Sequence, residues 1–371
     1  MKHLMVWGTF SVLGAMLVLA GAGPSAVAGS PRPASGTYKI LAPISHGDLT
    51  IFPVVSEAMH DTSGFLTLDE GMRSGEIQVT ETGRAGGLVR RRRQPVSQHA
   101  GEAEVNRLVL INNSKRPLIL LAGEVVTGGK QDRVVAKDRI VPPESDPVDL
   151  SVFCVEHGRW TDSSDKFDTH ASVMAQPSVR KKVMAEKQQQ QVWDEVSRSK
   201  TAMASAMAPV DSAGSSFAVR SLDSTTSYAK ARENPIIQQE VDSIVAPMEK
   251  SYASVMQQLW EQNAVGVVVA IKGHIVWADI FASSALLNKY WPKLLQSYAA
   301  EALSMGGGKV EVSEKEAQRF VETWQATHEV IDSEPGLYRQ REITGERFRA
   351  FELTSLLPKK DFDVHLSKMA E

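Results

Sequence analysis

Two glutamates stand at the ends of apolar stretches and are candidates for acid–base chemistry. Glu124 follows Leu-Leu-Ala-Gly at 120–123, and Glu156 follows Val-Phe-Cys-Val at 152–155. A buried carboxylate is costly unless it is paired, hydrogen-bonded or protonated, so each glutamate is expected to have a polar partner or a function. Two carboxylates that met in one cavity could serve as general acid and general base.

Polar and aromatic side chains accompany both glutamates. Gln131 and Arg133 follow the glycine pair at 128–129, and Arg159 and Trp160 follow Glu156. In a ligand pocket, the arginines would bind phosphate or carboxylate groups, Gln131 would orient the ligand, and Trp160 would stack on a ring. The same side chains could instead form a structural network that holds strand ends together. The residue types alone do not favour either hypothesis.

More specific motifs for phosphate binding, nucleophilic catalysis and metal binding do not fit this sequence. The stretch 123–130 lacks the glycine spacing and the Ser or Thr of a phosphate-binding loop. Cys154 and His157 are expected on opposite faces of a strand end, which favours a buried structural cysteine over a nucleophile. Asp162, Asp165 and Asp168 lack the glycine and the final glutamate of a calcium loop. No metal ligand is therefore assigned, and the cofactor, if any, is unknown.

The blocks Leu121–Glu124, Gly128–Arg133 and Cys154–Trp160 resemble a known family, the ARG and Rhodanese-Phosphatase-superfamily-associated protein domain. The resemblance covers most of the chain in outline. Through its gene neighbours, the family's name implies a link to nucleotide or ADP-ribose chemistry, without an activity that can be transferred.

The resemblance favours a site over a network, because the residues that match the family motif are mostly polar. On this hypothesis Glu124 and Glu156 are the catalytic acid and base for a phosphorylated or glycosidic small molecule. The ligand-binding residues are Gln131, Arg133, Arg159 and Trp160. The alternative is a non-enzymatic exported scaffold that uses residues 171–330 to bind an envelope protein.

The N-terminus predicts export to the periplasm or the exterior. A basic start at Lys2 and His3 precedes an apolar run, and Ala26-Val27-Ala28 is a signal-peptidase pattern. Cleavage after Ala28 would remove residues 1–28, leave a mobile leader at 29–36, and leave no membrane span.

Composition narrows the class of protein further. The formal net charge of −3 argues against general nucleic-acid binding, which requires a basic surface. The only cysteine cannot form an internal disulfide, so stability must come from the core. A small anionic ligand and an envelope protein are the partners that remain.

The elements that would position these residues predict an α+β fold, with one family domain over 37–371. Short runs with turn residues between them indicate an antiparallel, sandwich-like β-rich part over 37–160, in which 118–126 is one strand. A helix is expected over 171–208 and a flexible segment over 209–233. The α+β part, 234–371, makes the C-terminal half helix-rich, with two β-hairpins around 272–273 and Gly345.

Overall fold

The computed structural model describes residues 38–83, 106–169, 173–206, 220–222, 224–258, 264–305 and 311–371. The fold is α+β, as the sequence predicts. The helices are α1 (Leu68–Arg73), α2 (Pro177–Lys181), a π-helix (Lys182–Glu186), α3 (Gln189–Ala206), α4 (Tyr228–Arg232), α5 (Pro235–Gln258), α6 (Ser284–Ser304) and α7 (Glu314–Glu322). The expected signal peptide and leader lie outside the described residues.

The strands fall into two groups along the chain. The first group is β1 (Tyr38–Ile40), β2 (Ile44–His46), β3 (Leu49–Ser56), β4 (Leu66–Thr67), β5 (Ile77–Glu81), β6 (Arg107–Asn112), β7 (Leu118–Leu120), β8 (Val125–Gly128), β9 (Arg133–Val135), β10 (Arg139–Val141), β11 (Val148–Cys154) and β12 (Phe167–Asp168). The second group is β13 (Ala264–Ile271), β14 (His274–Phe281), β15 (Ala326–Glu334), β16 (Tyr338–Gly345), β17 (Phe348–Leu357) and β18 (Lys360–Ala370).

A nine-stranded sheet joins the two ends of the chain. Its order is β1-β3-β13-β14-β18-β17-β16-β15, with β2 paired to β3. The first three strands thus belong to the same sheet as the C-terminal strands, and the antiparallel pair β3–β13 makes the junction. The C-terminal half contributes six strands to this sheet, so it is richer in strand than the sequence indicated.

The central strand β13 is buried on both faces, which explains its continuous apolar sequence. Val267 and Val269 pack in the core that includes α3, α5 and α6, whereas Val268 and Ala270 pack on the opposite face with Val321 of α7. The strand alternation places helices on both sides of the sheet.

The remaining N-terminal strands form two smaller sheets, ordered β10-β7-β4 and β12-β8-β9-β11-β6-β5. The single strand predicted over 118–126 is instead two strands in different sheets. A turn separates them, in which the Glu124 N–H donates to the Leu121 carbonyl at 3.2 Å. Gly123 has φ +95 there, a conformation that favours glycine.

One other sequence expectation needs correction. Residues 228–232 of the expected flexible segment form α4, whose N-cap Ser227 accepts from the Lys230 N–H, while 209–219 lie outside the described residues. Pro247 lies inside α5, which is one helix from Pro235 to Gln258. Within the described ranges, no helix is long and apolar enough to cross a membrane.

Candidate functional site

Most of the predicted site residues meet where the turn between β8 and β9 lies against the end of β11. Glu156 Oε2 accepts from the Asp132 N–H at 3.1 Å and from Arg159 Nη2 at 2.6 Å. The Arg159 guanidinium also donates to the carbonyl oxygens of Gly129 and Thr161, each at 2.9 Å. Arg159 therefore ties the turn to the segment that follows β11.

Asp132 extends this cluster to α4. Its Oδ2 accepts from the Ser227 hydroxyl at 2.6 Å, and its Oδ1 accepts from the Gly128 N–H at 3.1 Å. Burial raises the pKa of Asp132, and the hydrogen bond from Ser227 acts in the opposite direction. Ser227 is also the N-cap of α4, so one hydroxyl joins the helix start to the turn.

Arg133 is fully buried in the same cluster. Its Nη1 donates to the Gln131 carbonyl at 2.6 Å, and its Nη2 lies 3.8 Å from Glu81 Oε1. The guanidinium carbon lies 5.8 Å from the ring centroid of Trp160, and Lys130 Nζ lies 5.1 Å from it. Trp160 is 42% exposed, so its ring contacts both cations and also reaches solvent.

Glu124 belongs to a different cluster. Its Oε2 accepts from the Leu121 N–H at 2.7 Å, and its Oε1 accepts from Lys293 Nζ at 2.5 Å. Lys293, on α6, also contacts Asp69 Oδ2 at 2.7 Å. Burial raises the pKa of Glu124, while the Lys293 ammonium lowers it. Because Lys293 Nζ lies in contact with Glu124 Oε1, we assign the two side chains as a charged pair, with Glu124 negative and Lys293 positive.

The strand register separates the two glutamates. Val125 pairs with Val134, which pairs with Phe153, so Glu124 lies level with Val152, four residues before Glu156. At about 3.3 Å per residue, the offset along the strands is about 13 Å, in addition to the width of the strands between them. The structure brings Gln131, Arg133, Glu156, Arg159 and Trp160 together and leaves Glu124 apart. This geometry does not support a shared acid–base pair.

The predicted ligand-binding cluster is largely enclosed. Gln131, Arg133 and Glu156 are each at most 5% exposed, and the Arg159 side chain is 20% exposed. Cys154 beside them is buried, and burial raises the pKa of its thiol to about 11, so it stays protonated at neutral pH. The contacts hold β8, β9, β11 and α4 together. They therefore favour the hypothesis that these residues form a structural network.

A second buried network escaped the sequence analysis. Arg180 of α2 donates from both Nη atoms to Asp279 of β14, at 2.8 and 3.0 Å. His365 lies between Asp138 (Nδ1 to Oδ2, 2.6 Å) and Asp279 (Nε2 to Oδ1, 3.1 Å), and Tyr298 Oη donates to Asp279 at 2.5 Å. Burial raises the pKa of Asp279, but Arg180 and His365 hold it well below its ordinary value. The sequence could have indicated Asp279 in the same way as Glu124, because Asp279 is also a carboxylate inside an apolar strand.

A groove of about 400 Å³ opens beside β11, on the side of the β15–β16 pair. Its apolar lining comes from β11, the π-helix, β15 and β17. Its polar lining comes from the ends of β6, β9 and the π-helix and from β11, β15 and β16. The lining residues are Ala136, Val152, Phe153, Val183, Met184, Val330 and Phe351, with Asn106, Lys137, Ser151, Lys187, Asp332, Gln340 and Glu342.

Two ion pairs join residues that line this groove. Lys137 pairs with Asp332, and Lys187 pairs with Glu342, with lysine side chains 33% and 54% exposed. Asp332 and Glu342 share a face of the β15–β16 pair, because Asp332 pairs with Gln340, two residues from Glu342. The groove could not be predicted from the sequence, since its walls come from segments far apart in the chain.

The fold and its clusters define an α+β protein in which a large antiparallel sheet carries an open groove and two enclosed polar networks. The family model for the ARG and Rhodanese-Phosphatase-superfamily-associated Protein domain (ARPP-1) matches residues 37–369. The chain belongs to this family, as the sequence blocks indicated. Comparison with curated proteins and with solved structures gave no match.

Proposed function

We propose that this protein binds a small anionic molecule with an apolar or planar body in the groove beside β11. The observation that carries the proposal is the groove itself: about 400 Å³ with an apolar floor and two lysines at its rim. A pocket of this volume, largely apolar with a few convergent polar groups, is the usual form of a small-molecule site.

The floor supplies binding free energy. Val152, Val183, Met184 and Phe351 line the groove and are each at most 3% exposed, so their positions are set by the core. A ligand ring that buried about 100 Å² of apolar surface there would gain about 2.5 kcal/mol, which is close to two orders of magnitude in affinity.

The rim supplies two cations that would bind the anionic group of a ligand. The lysines at 137 and 187 are held by carboxylates in exposed ion pairs, which are worth at most about 1 kcal/mol each. A phosphate or carboxylate group of a ligand can therefore replace Asp332 or Glu342 as their partner at little cost. The backbone supports the proposal as well, because Lys187 has φ 55 directly after a π-helix, and such irregular segments concentrate at functional sites.

The proposal is for binding, because neither Glu124 nor Glu156 is among the described residues that line the groove. If a phosphorylated or glycosidic ligand is also hydrolysed there, Asp332 and Glu342 are the carboxylates in position to act on it. Asn and Gln at these two positions would then abolish turnover, whereas Glu156→Gln would lower stability and leave ligand affinity unchanged.

The test is a thermal-shift screen of nucleotides, ADP-ribose and sugar phosphates, followed by calorimetry on each compound that raises the melting temperature. A ligand at about 100 times its dissociation constant stabilises the native state by about 2.7 kcal/mol. Val330 lines the groove and is 47% exposed, so Val330→Trp should fill the groove and abolish binding without disturbing the core. Lys187→Met should weaken binding about tenfold. Lys181→Met is the matched control, since Lys181 has a similar ion pair with Glu371 at 3.0 Å but does not line the groove.

Two results would overturn the proposal. Equal loss of affinity in Lys181→Met and Lys187→Met, or full binding by Val330→Trp, would place the ligand elsewhere. Failure of every compound, together with co-purification of an envelope protein, would favour the non-enzymatic scaffold.

Export is part of the proposal and rests on the sequence of residues 1–28. Mass spectrometry of the protein recovered from the cells that make it should find the mature N-terminus at Gly29. An intact Met1 or Lys2 terminus would contradict cleavage.

A further inference from the structure

The side chain of Gln340, on β16, lies in the wall of the groove beside β11 without a hydrogen-bond partner. Gln340 lines the groove and is 7% exposed. Among the described residues none donates to its side-chain amide or accepts from it, and neither polar atom of that amide is sealed from solvent. Because the residue is otherwise enclosed, its amide reaches solvent through the groove.

An amide in this position has lost most of its water and gained no partner from the protein, which is unfavourable. Buried polar side chains in folded proteins are nearly always hydrogen-bonded. The buried amide of Gln176 follows this rule, because its Nε2 donates to Glu301 at 2.9 Å and to Ser304 at 2.7 Å. A molecule in the groove that completed the hydrogen bonds of Gln340 would remove the exception.

The strand register shows what lies next to this amide. Leu353 lies opposite Gln340 on β17, and Phe351 lies two residues away on the same face, so the positions of Gln340 and Phe351 are diagonal neighbours about 7–8 Å apart. Glu342, the ion-pair partner of Lys187, lies opposite Phe351. The groove therefore presents an amide close to an aromatic ring, with a lysine held beside that ring.

This arrangement selects a class of ligand. A side-chain amide carries a donor and an acceptor side by side in one plane, and the edge of a nucleobase offers the complementary pair. The flat ring of a base can also cover an apolar floor, which a sugar cannot do as well. We infer that the anionic ligand of this groove is a nucleotide, with its base edge on Gln340, its base against Phe351 and its phosphate on Lys187. The inference rests on the proposed function, and it adds the ligand class and the residue that selects it.

The test is calorimetric titration of the full chain with four nucleoside monophosphates (AMP, GMP, CMP and UMP), phenyl phosphate and ribose 5-phosphate. Phenyl phosphate keeps a flat ring and a phosphate but lacks the donor–acceptor edge, and ribose 5-phosphate lacks a base. The best nucleotide should bind at least tenfold more tightly than either. Gln340→Met, which keeps the length of the side chain without its polar atoms, should lower nucleotide affinity at least tenfold and leave phenyl phosphate affinity within about twofold.

The controls separate the base edge from other causes. Gln78→Met is the matched control, since Gln78 is a half-buried strand glutamine on β5 that does not line the groove, and it should leave both affinities unchanged. If circular dichroism shows that Gln340→Met is misfolded, Gln340→Leu takes its place. Nicotinamide mononucleotide carries a donor and an acceptor on a carboxamide, and tighter binding of it than of all four nucleotides would overturn the assignment to a nucleobase.

The inference and the proposed function can fail separately. If nucleotides and phenyl phosphate bind, Lys187→Met weakens both, and Gln340→Met weakens both equally or neither, the groove is an anion site that does not select a base, and the inference is overturned. If none of the six compounds binds at millimolar concentration, the inference and the proposed function are both overturned.

Discussion

The charge of His365 should make the stability of this protein depend on pH. Burial by itself lowers the pKa of His365, but the carboxylates of Asp138 and Asp279 raise it to about 9, above its ordinary value of 6.5. The folded state therefore holds this proton more tightly than the unfolded chain. The stabilisation is complete below pH 6.5 and is lost as the pH rises through about 9.

The size of the effect follows from the two pKa values. They differ by about 2.5 pKa units, and each unit corresponds to about 1.4 kcal/mol, so the imidazolium contributes about 3 kcal/mol at low pH. This is a large share of the 5–15 kcal/mol typical of a folded domain. The shift is meaningful for stability because His365 is only 1% exposed.

Urea unfolding of the native chain and of His365→Gln, at intervals between pH 6 and 10, measures this contribution. The native chain should be the more stable at pH 6, and its advantage should shrink by about 3 kcal/mol by pH 10. Glu352, with a pKa raised by burial to about 8, also titrates in this window, but it is present in both chains and cancels in the difference. His60→Gln is the matched control, because His60 stacks on Phe362 rather than lying between carboxylates.

A difference between native chain and His365→Gln that stays constant across this pH range would refute the reasoning. Folding would then leave the pKa of His365 unchanged, and the two carboxylates would not hold the proton on the imidazole. A change of the same size in His60→Gln would also refute it, since the effect would not belong to the ion-paired histidine.

Two further predictions concern the turn at Glu124. Gly123→Ala should lower the free energy of unfolding by more than 2 kcal/mol, because φ is +95 and a Cβ would lie 2.7 Å from Cγ of Arg180. Gly158→Ala, at φ +85 with nothing within 4 Å, should cost only about 1 kcal/mol, and equal costs in denaturant unfolding would exclude the contact as the cause. Lys293→Met should destabilise by about 3–5 kcal/mol, because it leaves the carboxylate of Glu124 buried without its cation. Adding Glu124→Gln should recover part of that loss, and a double variant no more stable than Lys293→Met would contradict the charged pair.

Local features of this chain could be predicted from sequence because they depend on near neighbours. The capping box of Ser313 and Glu316 is present at the start of α7, and Asn234 accepts from the Ile236 N–H where α5 begins at Pro235. The antiparallel pair β13–β14 turns at 272–273 as the pattern indicated. Each depends on contacts a few residues apart, which a short window of sequence contains.

The break between β7 and β8 is a feature that a short window of sequence does not predict. An apolar run such as 118–126 is compatible with one long strand, and nothing in the run itself shows that its two halves belong to different sheets. The close approach of Arg180 to Gly123, from 57 positions further along the chain, accompanies the positive φ there. The sequence indicated that the Glu124 carboxylate needs a polar partner, but it did not show that the partner is Lys293.

The sequence by itself determined that this chain is an α+β member of its family, where α5 and α7 begin, and that Glu124 and Glu156 require polar partners. The tertiary structure alone decided which partners those residues have and where a ligand could enter. Glu124 and Lys293 are 169 positions apart, and Arg180 and Asp279 are 99 apart. Helix caps and strand alternation are set by bonding geometry within a few residues, whereas an ion pair or a groove wall depends on how distant segments pack, which is a property of the whole fold.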